Sequence, residues 1–499
     1  MVKKATFLTI IIFLCFLVIS LQINAFDIES QYKIIDYKGG TFYSIFKSED
    51  NTLYGAGVNE NGEMGKGFTN TTNYFLPKNN MILENVKFYD ASVNFIFAYS
   101  FDNKLYSWGN DQYGQLGLSN SINAMVVSKP TLVNFEPIVK EIALGFRHTV
   151  ILDTDGYVYT CGDNWSSQLG QNITSSKGDR HPSLTKINQA FFDNQVIISI
   201  ASSKYTSYAL AANGDVYSWG DGIRGQLVTG ADDVNKYVNK PVKTLFSNIV
   251  RISANDENVM AMDSNKDVYI AGSNSLKQLG VSTFKANYSS TPIQIEEKFD
   301  LENNAIISEI KSIACGGIVN FMVLENGDIL SWGFSGENQT GIYGAETYLF
   351  KEGNNITVPT KIPFFEPLDI FNNFDLGEKP PVNTNSPIIV LIDKVVSSSG
   401  NRTFVLDSNN QVWAFGNNSS GLLSTGNTST NIAPVLATMY RLFDYDKVIV
   451  PKNYLIKPLV GVITVLVIGG GLLLFLDIRR KYNAKMIKAL EQKYKENVK

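Results

Sequence analysis

Two histidines, two cysteines beyond the first 25 residues and one compact acidic turn are where this 499-residue chain could do conventional chemistry. His148 stands in Gly145-Phe146-Arg147-His148-Thr149, and His181 precedes Pro182. Neither sits in a frame that builds a nucleophile, a base and an orienting acid. Cys161 and Cys315 lie in alternating apolar stretches and read as small buried hydrophobes. Asp153-Thr154-Asp155-Gly156 opens like a calcium loop but lacks the later ligands and closing glutamate, so it reads as a hairpin turn. The glycines of Gly114–Gly117 lack the lysine and following helix of a phosphate loop. No catalytic, cofactor-binding or metal-ligating set emerges, and the expectation is a chain that is not an enzyme and needs no cofactor. Two residues in polar loops remain as candidates for ligand binding: Trp165, where an exposed indole suits a hot spot, and Arg224.

The elements that would position these residues come from a repeat. Leu105–Ser119, LYSWGNDQYGQLGLS, is its clearest copy. Gly57, Gly109, Gly162, Gly220, Gly272, Gly333 and Gly416 mark seven copies spaced by 52, 53, 58, 52, 61 and 83 residues. Each copy has two alternating apolar runs, a turn such as Asp155-Gly156 or Asn326-Gly327, and a third run ending in the marker glycine. A polar loop and a proline (Pro77, Pro130, Pro182, Pro241, Pro292, Pro359, Pro434) then lead onward. Trp108, Trp219, Trp332 and Trp413 sit beside marker glycines and read as core or channel-lining. Periods of this length announce an array, and four-stranded units packed radially give a propeller. The fold class expected is all-β, a seven-bladed β-propeller over 26–440, with an insertion at about 365–387. Its first blade is expected to combine Pro434–Met439 with Tyr32–Tyr37, drawing on both chain ends.

The termini suggest where such a domain would stand. Residues 1–25 read as a signal peptide, with Lys3 and Lys4 before the apolar run Phe7–Leu21 and a small residue, Ala25, at the end. Leu459–Leu476 is 18 residues without a charge, the length of a transmembrane helix, after a linker at 441–458. The tail, 477–499, carries Arg479, Arg480 and Lys481 at its start, which places it in the cytoplasm. Ten of the 43 basic residues but only three of the 47 acidic ones fall in the signal and tail, leaving the region between acidic by about 11 charges. That balance gives no reason to expect a nucleic-acid partner. Sequons begin at Asn70, Asn164, Asn172, Asn287, Asn338, Asn355, Asn401, Asn417, Asn418 and Asn427, candidates for N-glycosylation.

Trp108–Gly117 (WGNDQYGQLG), Leu144–Asn164 and Ile313–Gly333 resemble the regulator of chromosome condensation repeat, and the likeness covers about Tyr32–Tyr440. It implies a seven-bladed propeller with a first blade shared by both ends. The family's founding member is a nuclear exchange factor for a small GTPase and binds chromatin. This chain departs from it in its signal, its span and its acidic outer region. Other propellers of this kind serve as receptor ectodomains. The sequence therefore leads to a noncatalytic, single-pass type I membrane glycoprotein of the plasma membrane or endosomal system. Its extracellular or lumenal propeller would bind a protein or glycan ligand. The alternative is a guanine-nucleotide exchange factor, if the propeller faces the cytosol.

Overall fold

The computed structural model describes residues 34–437 apart from 75–80, 120–124, 231–236, 301–303, 317, 337–338, 343–350, 363–391, 399–401, 408–411 and 417–430. The expected signal, insertion, linker, span and tail lie outside the described residues. Among the described residues, no helix is long and apolar enough to cross a membrane.

The described strands fall into seven antiparallel sheets of four or five strands, each built from consecutive chain. Sheets 1 to 7 begin with Ile34–Gly39, Val86–Ala91, Val139–Leu144, Ile197–Ser202, Ile249–Asn255, Ile310–Cys315 and Ile392–Ser398. These first strands touch one another in cyclic order, and the first strand of sheet 1 also touches that of sheet 7. The arrangement is an all-β propeller with first strands innermost. The second strands of sheets 1 to 6 are buried along their whole length, as in Phe95–Ser100, His148–Asp153, Thr206–Ala211 and Val319–Leu324. Sandwiched between neighbouring sheets on both faces, they use apolar residues at about two thirds of their positions and bury the polar ones among them. Each fully buried large side chain there contributes about 1.5–3 kcal/mol.

One irregularity repeats. In all seven sheets the pairing of first and second strands slips after the first residue, as between Val139 and Glu141 or Ile197 and Ser199. Such bulges turn a side chain out of the regular alternation. Two first-strand carboxylates tie neighbouring sheets, Glu141 directly after the slip in sheet 3 and Asp90 farther along the regular ladder of sheet 2. Glu141 Oε2 accepts from the Ile200 N–H at 2.9 Å, and Asp90 Oδ2 accepts from the Leu144 N–H at 2.9 Å. Burial raises the pKa of both carboxyls, Asp90 despite Lys38 Nζ at 3.6 Å.

The shared first blade is corrected. Sheet 1 draws its four main strands, Ile34–Gly39, Tyr43–Ser48, Leu53–Asn59 and Asn70–Tyr74, from the N-terminal end. Asn431–Ala437 pairs instead with Val412–Gly416 as the fourth strand of sheet 7. Among the described residues, side chains join sheet 1 to sheet 7. The Tyr37 ring stacks on Phe404 with centroids 3.6 Å apart.

The marker glycines have one conformation, with φ between 98° and 111°. In sheets 2 to 7 their strands bulge against the fourth strand at the same place, as between Ile270 and Gly272. At Gly272 a Cβ would come within 2.1 Å of the Glu257 carbonyl oxygen, and the φ of +109° is foreign to any L side chain. Gly272→Ala is therefore expected to lose about 2–4 kcal/mol, combining strain and overpacking. Urea unfolding measures it as a lowered midpoint at unchanged slope.

Candidate functional site

Two ends of the strands differ in character. At one end lie the short turns joining second to third strands; at the other lie the loops from first to second and from third to fourth strands. The second end, the loop face, carries one position at the same step of six repeats: Phe42, Asn94, Arg147, Tyr205, Glu257 and Ile318. Each of these carbonyls accepts, at 2.8–3.0 Å, from the residue after the marker glycine: Val58, Asn110, Asp163, Asp221, Ser273 and Phe334. The backbone repeats while the side chain changes from aromatic to amide, cation, acid and aliphatic. Neighbouring loops are also laced together, by Phe146 N–H to the Lys204 carbonyl at 3.0 Å and Lys204 N–H to the Asp256 carbonyl at 2.9 Å. Variable side chains on a rigid ring are the arrangement that recognition loops use.

The richest part of the ring spans sheets 2 to 5. The Arg147 guanidinium carbon lies 4.8 Å from the Tyr113 ring centroid and 5.1 Å from that of Phe146. It also donates to the Tyr113 hydroxyl at 3.1 Å. Phe146 meets Tyr205 edge-on, with centroids 5.7 Å apart. Beyond them Lys204 pairs with Asp256 at 3.7 Å, and Arg224 with Glu257 at 3.8 Å. Burial raises the Glu257 pKa and the adjacent Asp256 raises it further; burial also raises that of Asp221. The result is an aromatic and charged strip of half-buried groups, the composition of a protein-contact surface.

Both sequence candidates lie in loops of this face. Arg224 joins the strip through Glu257. Trp165 is 48% exposed in the third-to-fourth loop of sheet 3, its N–H donating to Asp163 Oδ1 at 3.0 Å. No hydrogen bond, ion pair or ring contact joins it to Arg224. Phe146, Arg147, Tyr205 and Lys204 are the additions that sequence reading missed. Setting the repeats in register on the marker glycines places Arg147 and Tyr205 in one column and Phe146 and Lys204 in the column before it, but the residues vary in both and nothing in the sequence marks them out.

His148 lies beneath this strip and is not part of it. It is fully buried, with Nε2 2.9 Å from Ser207 Oγ and 3.0 Å from Ser202 Oγ, so its partners are hydroxyls. Burial lowers its pKa to about 3. The unfolded chain, with a histidine near pH 6.5, then binds more protons over the interval between. Stability is expected to be full above pH 6.5 and to fall toward pH 3 by up to about 1.4 kcal/mol per unit from this group. The stability difference between the wild type and His148→Gln, measured by urea unfolding from pH 7 to pH 4, is expected to shrink with acidification. His181 starts an outer strand and meets Ser175 Oγ at 2.9 Å.

Cys161 and Cys315 are free and buried. Among the described residues no cluster of histidine, cysteine or carboxylate could hold a metal. Of the sequons, Asn172 and Asn287 are exposed, and Asn70 and Asn355 are half-buried. Asn164 is 3% exposed and its Nδ2 donates to Ser175 Oγ at 2.9 Å, which leaves no room for a glycan in this conformation. Asn338, Asn401, Asn417, Asn418 and Asn427 lie outside the described residues. A groove of about 560 Å³ on the turn side, between the turn at Lys266 and the connection carrying Ile307, holds none of the candidates.

Comparison with known proteins sets these features in a family. The chain is 29% identical over 208 residues to the guanine nucleotide exchange factor SRM1 of Saccharomyces cerevisiae, covering 39% of this chain and 42% of that one. It is 24% identical over 324 residues to the human regulator of chromosome condensation, covering 62% and 74%. The match thus spans less than half of SRM1. The crystal structure of human WBSCR16 shares the fold with a TM-score of 0.58 at 18% identity, covering 76% of this chain and 90% of that one. A relative named as an exchange factor corrects the expectation of a chain that is not an enzyme. That expectation rested on the missing nucleophiles and metal ligands. Release of a bound nucleotide needs neither, because a surface that binds the open partner more tightly than the closed one accelerates it. The RCC1-like domain model matches residues 20–378 and the regulator of chromosome condensation (RCC1) repeat matches 393–422, so the chain belongs to the RCC1-like domain family.

Proposed function

We propose that the loop face binds a small GTPase and accelerates release of its guanine nucleotide. The observation that carries this reading is the likeness to a relative named as a guanine nucleotide exchange factor, SRM1, over 208 residues and 39% of the chain. The physical support is the ring itself. Exchange needs a rigid surface that keeps its shape while the partner opens, and backbone-bonded loops on a closed ring provide one. The seven sheets supply that ring.

The test is nucleotide release. Full-length chain is added to a panel of small GTPases loaded with a fluorescent guanine nucleotide. The expected result is at least about a tenfold faster release from one of them, equivalent to about 1.4 kcal/mol off the barrier. Unchanged release across the panel overturns the reading.

A second reading is favoured by one sequence feature, the uncharged Leu459–Leu476 with basic residues after it. In that reading the propeller stands outside the cytosol as a membrane-anchored domain and offers the same loop face to an extracellular or lumenal protein. Asn172 and Asn287 are then the open positions for glycans. Protease protection in intact membrane vesicles separates the two: a digested propeller in cytosol-facing vesicles supports exchange, and a protected one supports the anchored ectodomain.

A further inference from the structure

Around the strip, the cations differ in whether their charge is answered. Lys204 faces Asp256, Arg224 faces Glu257, and Arg180 faces the buried Asp111. Arg147 faces no carboxylate among the described residues. Its contacts are the Tyr113 and Phe146 rings and a single hydrogen bond, 3.1 Å to the Tyr113 hydroxyl. A guanidinium carries five N–H donors, so most of this fork is unused.

The unused fork is also held in place. Tyr113 comes from the third-to-fourth loop of sheet 2, while Phe146 belongs to Arg147's own loop and is itself braced by Tyr205 of sheet 4. The loop backbone is fixed by Asp163 N–H to the Arg147 carbonyl at 2.9 Å and Phe146 N–H to the Lys204 carbonyl at 3.0 Å. Much of the side-chain entropy that binding would otherwise cost is thus already spent in the free protein. A braced guanidinium with unused parallel donors matches a planar carboxylate, which it can grip through two bonds at once.

We infer that Arg147 is the anchor by which the loop face recognises its protein partner, gripping the carboxylate of an Asp or Glu flanked by apolar residues that pack on Tyr113, Phe146 and Tyr205. The inference deepens the loop-face reading and names the chemistry the partner must present. Nucleic acid fits less well: Asp221, Asp256 and Glu257 border the same strip and would repel a chain of phosphates. A single carboxylate reaching Arg147 avoids them.

The test does not require the partner. A phage-displayed library of random 12-residue peptides is selected on the full-length chain, with Arg147→Gln as counter-target. The expected peptides carry Asp or Glu beside apolar residues. Changing that acid to its amide, or Arg147 to Gln, weakens binding about tenfold. Making both changes costs little more than either alone. Peptides without acidic enrichment, peptides that bind Arg147→Gln equally well, or no selected peptides overturn the inference. So does a fluorescent single-stranded oligonucleotide whose binding falls in Arg147→Gln, since that assigns the fork to phosphate. A positive peptide result with no GTPase response keeps the anchor and removes the exchange reading; the reverse removes only the anchor.

Discussion

Trp332→Ala is expected to lose about 3–5 kcal/mol of stability, the cost of emptying a large aromatic site in a packed core. Trp332 is fully buried, and its indole N–H donates at 2.7 Å to the carbonyl of Gln278 in the preceding sheet. A Cβ on Gly280 would lie 2.5 Å from that indole nitrogen, so the loop of sheet 5 and the tryptophan of sheet 6 are shaped to each other. Trp108 makes the same bond to the Glu63 carbonyl and Trp219 to that of Gln168, each at 2.9 Å. At the corresponding place in sheet 3, Cys161 Sγ stands 3.6 Å from the Gln115 carbonyl. In sheets 2, 4 and 6 the tryptophan is therefore a key into the loop of the sheet before. Trp332→Phe is expected to cost about 1 kcal/mol through the lost hydrogen bond. Asn320 Nδ2, at 2.8 Å, keeps the Gln278 carbonyl satisfied and limits the penalty. Urea midpoints of the two variants, read at equal slope, test the order; a Phe variant as weak as the Ala variant contradicts the account.

The second large effect is functional. Arg147→Ala is expected to reduce partner-dependent nucleotide release by about 30-fold, the effect of losing about 2 kcal/mol at a hot spot. The unfolding midpoint should stay near that of the wild type, because Arg147 is half-buried and makes one hydrogen bond, to a hydroxyl. Arg147→Lys should recover little, since an ammonium lacks the planar fork. Lys140→Ala, an exposed cation at the far end of the same sheet's first strand, serves as control and should leave release unchanged. Equal losses in the two variants would point to net charge instead of a placed contact.

Much of the fold was legible because the repeat is written in residues with narrow physical requirements. The marker glycines take a φ of 98–111°, and the third strands end where LYSWG and its relatives place them. Cys161 and Cys315 proved to be buried hydrophobes, as their alternating surroundings suggested. The chain ends were harder. A cyclic repeat does not encode where the chain is cut, and Asn431–Ala437 suits the fourth strand of sheet 7 as well as a strand of sheet 1; only the pairing with Val412–Gly416 decides. Function was least legible. In Phe146-Arg147-His148 the histidine drew attention because histidines do chemistry, yet burial holds it neutral. Its neighbours gain meaning only when Tyr113 and Tyr205, 34 and 58 positions away, are folded against them. Trp165 and Arg224 were found by their loops alone, and only Arg224 turned out to join the strip.

Hydrogen–deuterium exchange tests the central claim most directly, on the full-length chain alone and saturated with the GTPase that responds in the release assay. The expected result is slowed exchange in the loop-face segments 40–42, 111–115, 145–147, 203–205, 222–225 and 256–257. Slowing confined to the turns at 49–52, 101–104, 154–157, 212–215 and 264–267, with the loop segments unchanged, would contradict it.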